Sequence, residues 1–193
     1  APDVFTCTIT GRGGHAAIPQ DTIDPMQYYK DKPDLAMPGF DWDDFSKPLV
    51  DGLAMYDGKM VGIPFDIPIM MLMYRKDLAD KAGVQVPERP TWPQIKDLAA
   101  KMHDPKNGVY GICLRGKPGW GDNMAFLSTL VNTFGGQWFD MNWKPQLESK
   151  PWKDAINFYV DLLKNYGPPG SSANSFNEIL ALTNSGKCGM WID

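Results

Sequence analysis

Apolar residues recur at helical spacing in several stretches of the chain. The clearest is 152–166, where Ala155 and Tyr159 fall on one face. Two other helices begin with capping signals, Thr91 before one and a box that starts at Ser175 before the other. The pattern predicts helices over residues 41–55, 76–82, 92–102, 123–134, 152–166 and 176–182.

Shorter apolar runs between these stretches predict β-strands. Residues 69–74 are apolar at successive positions, which is typical of a strand buried on both faces of a covered sheet. The Asp-Gly pair at 57–58 predicts a hairpin, and residues 138–147 predict a second small hairpin. The predicted strands cover residues 61–65, 69–74, 109–114 and 188–192. Because strands alternate with helices, the predicted fold class is α/β.

Charge and composition exclude several classes of function. The 193 residues carry a formal charge of −4 and a pI near 5.1, with no basic stripe, so we expect no nucleic-acid partner. The longest apolar run, residues 67–74, is too short to cross a bilayer, so no membrane span is predicted. Three cysteines and two histidines make a zinc site built from these residues improbable, and no cofactor is predicted.

The most informative loop lies between the strand at 109–114 and the helix that begins near Asn123. It carries Arg115 and Trp120 among several glycines. A guanidinium group and an indole face suit a polyhydroxylated ligand, because sugars and polyols offer hydroxyl groups to hydrogen-bond and C–H faces for stacking. A plain surface turn is the alternative reading. No nucleophile–base arrangement accompanies the loop, so the sequence predicts a binding protein and not an enzyme.

Residues 1–25 have a different character from the rest. A β-like alternation ends in Gly-Arg-Gly-Gly-His-Ala-Ala, followed by Pro19 and an Asp-Pro pair. This segment resembles the dimerisation domain of zinc aminoacylase and carboxypeptidase-like amidohydrolases. The resemblance implies that His15 helps to bind a substrate oxyanion, whereas the simpler interpretation is that His15 closes a turn. A metal-dependent amidohydrolase or peptidase is therefore the alternative function.

A longer resemblance covers about residues 30–193. The motifs that carry it lie, in order, at 57–65, 73–78, 82–92, 108–121, 134–136, 166–170 and 186–193. Together they resemble the extracellular solute-binding proteins of sugar and polyol ABC importers, in particular the sorbitol- and mannitol-type receptors. The resemblance implies a Venus-flytrap fold, in which two lobes clamp the ligand and a membrane permease reads the closure. It also implies a periplasmic protein that binds a sugar or sugar alcohol without catalysis.

Carried over position by position, the resemblance implies a set of ligand-binding residues at strand ends and helix starts. This is where open α/β sheets bind their ligands. The set comprises Phe65, Asp66, Arg115, Trp120, Phe176, Asn177, Glu178, Trp191 and Asp193. A surface or core role is the alternative for each, and Trp191 is the strongest candidate for the core. Cys113 and Cys188 each occupy a receptor motif, and we predict that they form a disulfide, which an oxidising periplasm permits.

The two resemblances divide the chain into three segments. Residues 1–25 have the foreign, amidohydrolase-like character, residues 26–75 form part of the first lobe and the crossover, and residues 76–193 form the second-lobe core. The expected fold is therefore a periplasmic-binding-protein-like lobe, present as a fragment or mosaic.

Overall fold

The computed structural model describes residues 30–35, 37–56, 58–60, 62, 69–119 and 121–193. Contacts between Cα atoms divide the chain into two compact units, residues 1–68 and residues 69–193. The strand predicted at 61–65 lies almost wholly outside the described residues. The boundaries of the three predicted segments, at residues 25 and 75, remain predictions.

The described part of the first unit consists of short helical segments and a hairpin. Its helical segments are 3-10 turns at Pro33–Leu35 and Trp42–Asp44, the three-residue α1 at Lys47–Leu49 and a π-helical stretch at Val50–Ala54. The hairpin pairs β1, Met55–Tyr56, with β2, Lys59–Met60, in antiparallel register. The predicted hairpin at 57–58 is confirmed.

The single amphipathic helix predicted over residues 41–55 is wrong. Pro48 has no backbone N–H and therefore cannot donate to a preceding helical turn. Proline is tolerated in the first turn of a helix, which is its position in α1, but a helix that began at residue 41 could not continue through it. Gly52 then lies within the π-helical stretch, where its backbone freedom weakens regular helix. Leu53, predicted to lie on the apolar face, is exposed.

The second unit is built on a three-stranded sheet with the order β3-β5-β4. Its strands are β3 at Leu72–Tyr74, β4 at Tyr110–Cys113 and β5 at Cys188–Ile192. The central strand, β5, runs antiparallel to β3 and parallel to β4. The carboxyl ends of β4 and β5 therefore lie side by side at one edge of the sheet.

Five α-helices lie among the described residues of this unit. They are α2 at Lys76–Lys81, α3 at Trp92–Met102, α4 at Asn123–Thr133, α5 at Lys150–Tyr166 and α6 at Phe176–Asn184. Two further 3-10 turns lie at Pro105–Asn107 and Ser171–Ala173. The helices predicted from the apolar spacing in this region are confirmed to within a turn. The predicted N-cap at Thr91 and the predicted capping box at Ser175 are both present, and Thr91 also forms a capping box, with Gln94.

Two clusters of buried side chains pack on the sheet. Met190 and Ile192 belong to the larger cluster, formed with α3, α4 and α5. Cys188 and Trp191 belong to a smaller cluster with Ile179 of α6. Helix α3 approaches β4 so closely that a Cβ atom on Gly111 would lie 1.9 Å from the carbonyl oxygen of Ala99. Glycine is therefore required there.

The predicted disulfide is confirmed. Cys113 at the end of β4 is bonded to Cys188 at the start of β5, and their Cα atoms are 5.8 Å apart. Both residues are buried in the small core beneath α6. The bond therefore crosslinks the two parallel strands whose ends form the edge described below.

The prediction that residues 69–74 form a strand buried on both faces is wrong. Only Leu72–Tyr74 are a strand, and Ile69 and Met71 are 69% and 60% exposed. The reason is its position, because β3 pairs with β5 alone among the described residues and is the edge strand of this sheet. An apolar run cannot by itself distinguish a central strand from an edge strand.

Candidate functional site

The predicted site residues of the second unit converge at the carboxyl edge of β4 and β5. Arg115 follows β4, Asp193 follows β5, and Phe176 begins α6 at the same edge. The parallel pairing of Cys113 with Trp191 brings the two strand ends together. Residues 78 positions apart thus become neighbours, as expected for the ligand-binding edge of an α/β sheet.

Arg115 and Asp193 form a two-pronged ion pair at this edge. Arg115 Nε donates to Asp193 Oδ2 at 2.6 Å, and Arg115 Nη2 donates to Oδ1. The two side chains are only 17% and 10% exposed. The match between a planar guanidinium and a carboxylate restrains both groups, because two parallel hydrogen bonds set the orientation as well as the distance.

Two aromatic rings line the pair. The centre of the Arg115 guanidinium lies 5.3 Å from the centroid of the Phe176 ring, a cation–π distance. The Phe176 ring in turn lies 5.5 Å from that of Trp191, whose indole N–H donates to Asp193 Oδ2 at 3.2 Å. Phe176 is exposed and Trp191 is buried. Trp191 therefore belongs to the core and acts on this edge through Asp193.

The loop after β4 is held by contacts from three directions. Arg115 Nη1 donates to the carbonyl of Gly121, and the hydroxyl of Tyr159 in α5 donates to the carbonyl of Arg115. The backbone N–H groups of Gly116 and Lys117 both donate to the carbonyl of Asn174 at 3.0 Å. A Cβ atom on Gly116 would lie 2.2 Å from the carbonyl oxygen of Ser171, so this approach requires glycine.

Polar groups at the start of α6 are engaged with one another. Glu178 accepts a hydrogen bond from the backbone N–H of Ser175 at 2.8 Å, completing the capping box. This bond lowers the pKa of Glu178 below its usual value. The Ser175 hydroxyl donates to the carboxylate of Asp122, which precedes α4, so the starts of α4 and α6 are tied together. Asn177 is exposed at the same end of α6.

Three predicted site residues, Phe65, Asp66 and Trp120, lie outside the described residues. The structure adds Tyr159, Asp122 and Ser175 as residues that position the edge. Ser175 carried a local signal as the start of the predicted capping box, and Asp122 immediately precedes the helix predicted at 123–134. Tyr159 carried none, because its spacing identified it only as a core residue of α5.

Burial and one hydrogen bond shift the pKa of Tyr159 in opposite directions. Loss of hydration raises the pKa of its hydroxyl to about 12, and a hydrogen bond with Asn123 partly offsets this effect. The hydroxyl therefore keeps its proton, which it donates to the Arg115 carbonyl, throughout the neutral range.

Among the described residues, two open cavities have volumes of about 620 and 570 Å³. Both include Tyr110, Pro168 and Pro169, near the start of β4. Of the predicted ligand-binding residues, Glu178 lines the larger one, on a side shared with Asn174 and Lys187. Neither Arg115 nor Asp193 lines either of these two cavities.

Within the described residues, no group of three or more His, Cys, Asp or Glu side chains is placed to hold a metal ion. Among the same residues, no helix has the length and apolar character needed to cross a bilayer.

The fold and the edge define a class of protein, an α/β module with polar and aromatic side chains at the ends of parallel strands, where α/β sheets commonly bind small molecules. The chain belongs to the bacterial extracellular solute-binding protein family, whose model matches residues 1–193. The match includes the first 25 residues, and the comparisons give no support for the amidohydrolase alternative. The family consists of binding proteins rather than enzymes.

Individual relatives of this chain are described by the ligands that they bind. A mannitol-binding protein of Pseudomonas aeruginosa is 51% identical over 151 residues, which are 78% of this chain and 34% of that protein. A crystal structure of an ABC transporter solute-binding protein from Agrobacterium vitis, with bound D-mannitol, has a TM-score of 0.74 and 53% identity. It matches 84% of this chain and 39% of that one.

A second solved structure, an ABC transporter solute-binding protein from Agrobacterium radiobacter in complex with ribitol, has a TM-score of 0.75 and 27% identity. The match covers 88% of this chain and 41% of that protein. The chain therefore spans between about a third and two fifths of the length of these relatives. The periplasmic-binding-protein-like fold predicted from the sequence is confirmed.

Proposed function

We propose that residues 76–193 of this chain form the second-lobe core of a periplasmic receptor that binds a sugar alcohol and delivers it to the membrane permease of an ABC importer. The ligand binds at the carboxyl edge of β4 and β5, and no chemical reaction follows. Closure of a second wall over the ligand supplies the signal, because only a ligand that contacts both walls favours the closed state.

The observation that carries this proposal is the Arg115–Asp193 pair beside the exposed ring of Phe176. A guanidinium has five N–H donors, and three of those of Arg115 are engaged within the protein. The two remaining donors and the adjacent ring suit a chain of hydroxyl and C–H groups. D-Mannitol and ribitol, bound in the related structures, have this chemistry.

The predicted ligand-binding residues take different parts in this proposal. Arg115, Phe176, Asn177 and Asp193 contact the ligand. Trp191 and Glu178 act indirectly, the first by orienting Asp193 and the second by capping α6. Phe65, Asp66 and Trp120, which lie outside the described residues, are proposed as further ligand contacts.

Titration with D-mannitol, ribitol and D-sorbitol, followed by calorimetry and by tryptophan emission, tests the proposal. We expect at least one of these polyols to bind, and Arg115→Ala to weaken that binding by about tenfold or more, since one charged hydrogen-bonding group is worth about that much. Arg75→Ala removes an exposed arginine and is the matched control, which should bind like the wild type. Failure of every polyol to bind would refute the proposal.

A further inference from the structure

The charges at the carboxyl edge of the sheet do not favour an anionic ligand. Among the described residues, this edge carries two positive side chains, Arg115 and Lys117, and three negative ones, Asp122, Glu178 and Asp193. Lys117 and Asp122 are close enough to Glu178 to act on its carboxylate in opposite directions. The local balance is therefore one negative charge, although an arginine lies at the centre.

Asp193 neutralises that arginine. It engages two N–H groups of the guanidinium, and the Gly121 carbonyl engages a third. The remaining capacity of Asp193 is also limited, because Oδ2 accepts from both Arg115 Nε and the Trp191 indole. The pair thus offers hydrogen bonds without a net charge.

A carboxylate on the ligand would meet Asp193 as a like charge in a part-buried setting. It could satisfy Arg115 only by displacing Asp193, which would then lie unpaired among Trp191 and Phe176. Both outcomes are unfavourable, since like charges repel strongly where water is scarce and an unpaired buried carboxylate is costly.

We propose that Asp193 sets the charge specificity of this site: by neutralising Arg115 it admits uncharged polyols and excludes the corresponding sugar acids. This inference rests on the proposed function and adds to it the residue that rejects anions. The Arg115–Asp193 pair is then a hydrogen-bonding unit without net charge, although arginines in binding sites commonly recognise carboxylates.

The test compares D-mannitol with D-mannonate, an acid with the same carbon chain, on the wild type and on Asp193→Asn. Every protein carries a short neutral Gly-Gly-Ser extension, so that the terminal carboxylate stays away from the pair. The wild type should prefer mannitol by about tenfold or more, and Asp193→Asn should lose or reverse that preference because its Arg115 is no longer neutralised.

Asp77→Asn is the matched control, because it makes the same chemical change in the exposed two-pronged pair of Arg75 and Asp77. It should keep the wild-type preference for mannitol. In all these proteins, ligand binding is followed by NMR through the shift of the Trp191 indole N–H resonance, since this N–H donates to Asp193.

A second measurement needs no variant and keeps the test valid if Asp193→Asn does not fold. The wild type should rank the uncharged D-mannitol first, the cationic glucamine second and D-mannonate last, since the edge has a negative balance. Mannonate binding as tightly as mannitol, or an unchanged preference in a folded Asp193→Asn, would overturn the inference while the proposed function stands. If neither mannitol nor glucamine binds, the proposed function fails and the inference fails with it.

Discussion

Two arginine–aspartate pairs in residues 69–193 share a geometry and differ in their surroundings. Arg115 Nε is 2.6 Å from Asp193 Oδ2, Arg75 Nε is 2.7 Å from Asp77 Oδ1, and a second N–H completes the fork in each. The first pair joins residues 78 positions apart and is 17% and 10% exposed, while the second joins residues two apart and is 38% and 61% exposed.

The difference shows that the geometry of an ion pair does not determine its importance. Water screens the exposed pair, although the Arg75 guanidinium still lowers the pKa of Asp77. The part-buried pair has lost most of its hydration, so each charge depends on the other, and breaking the pair leaves a charge without a partner. It also connects the end of β5 to the loop after β4, which the local pair at the start of α2 cannot do.

The largest expected effect comes from the disulfide that holds β4 and β5 beneath the buried pair. It links residues 75 positions apart, and a loop of this length corresponds to roughly 4 kcal/mol through the restricted unfolded chain. The double variant Cys113→Ala/Cys188→Ala should lose about that much free energy of unfolding in urea, and reductant should have a similar effect on the wild type. Cys7→Ala is the control for replacement of a cysteine outside the disulfide. Without reductant, equal stability of the wild type, Cys7→Ala and the double variant would contradict the prediction.

Breaking the buried pair should have the next largest effect. Asp193→Ala leaves Arg115 part-buried without its carboxylate, and we expect a loss of about 3 kcal/mol in the free energy of unfolding. Asp77→Ala makes the same truncation in the exposed pair and should cause a much smaller loss. Chemical denaturation of both variants measures the difference, and equal losses would show that burial does not distinguish the two pairs.

The smallest effect concerns Tyr159, which supports the buried pair from α5. Tyr159→Phe leaves the Arg115 carbonyl without this donor and should cost about 1 kcal/mol at neutral pH. The folded pKa, about 12, is above the ordinary value of 10.0, so the unfolded chain loses this proton first as the pH rises. The contribution is therefore complete below pH 10.0 and is lost as the pH rises towards about 12.

Thermal unfolding between pH 9 and 12 checks the sign of this dependence. Wild-type stability should fall more steeply than that of Tyr159→Phe, which lacks the titrating hydroxyl. Parallel curves for the two proteins would mean that Tyr159 does not contribute to the alkaline slope.

Local signals in the sequence predicted most of the second unit. Helices α3 and α6 begin at capping boxes, and the side chains that close these boxes are only three residues from the N-cap. The apolar spacing of α5 identified its buried face because helical periodicity is a local property, although Ile156 on that face is partly exposed. Where short-range rules conflicted, as between the apolar spacing of residues 41–55 and Pro48 with Gly52, the prediction failed.

The candidate site was predicted in a different way. Arg115 stood out locally in a glycine-rich loop, whereas Phe176, Trp191 and Asp193 were named from a resemblance to polyol receptors. Nothing near Asp193 in the chain indicates that it pairs with Arg115. Tyr159 was missed for the same reason, since its partner is a backbone carbonyl 44 positions away.

By itself the sequence determined which segments of the second unit become helices and strands and which side chains can form a core. It also indicated a resemblance to polyol receptors. Tertiary structure alone decided that β3 lies at an edge and that the indole of Trp191 donates to Asp193. It also decided that the guanidinium of Arg115 is neutralised by Asp193. These properties depend on which strands become neighbours and on how much water remains between distant residues, and neither is encoded in local spacing.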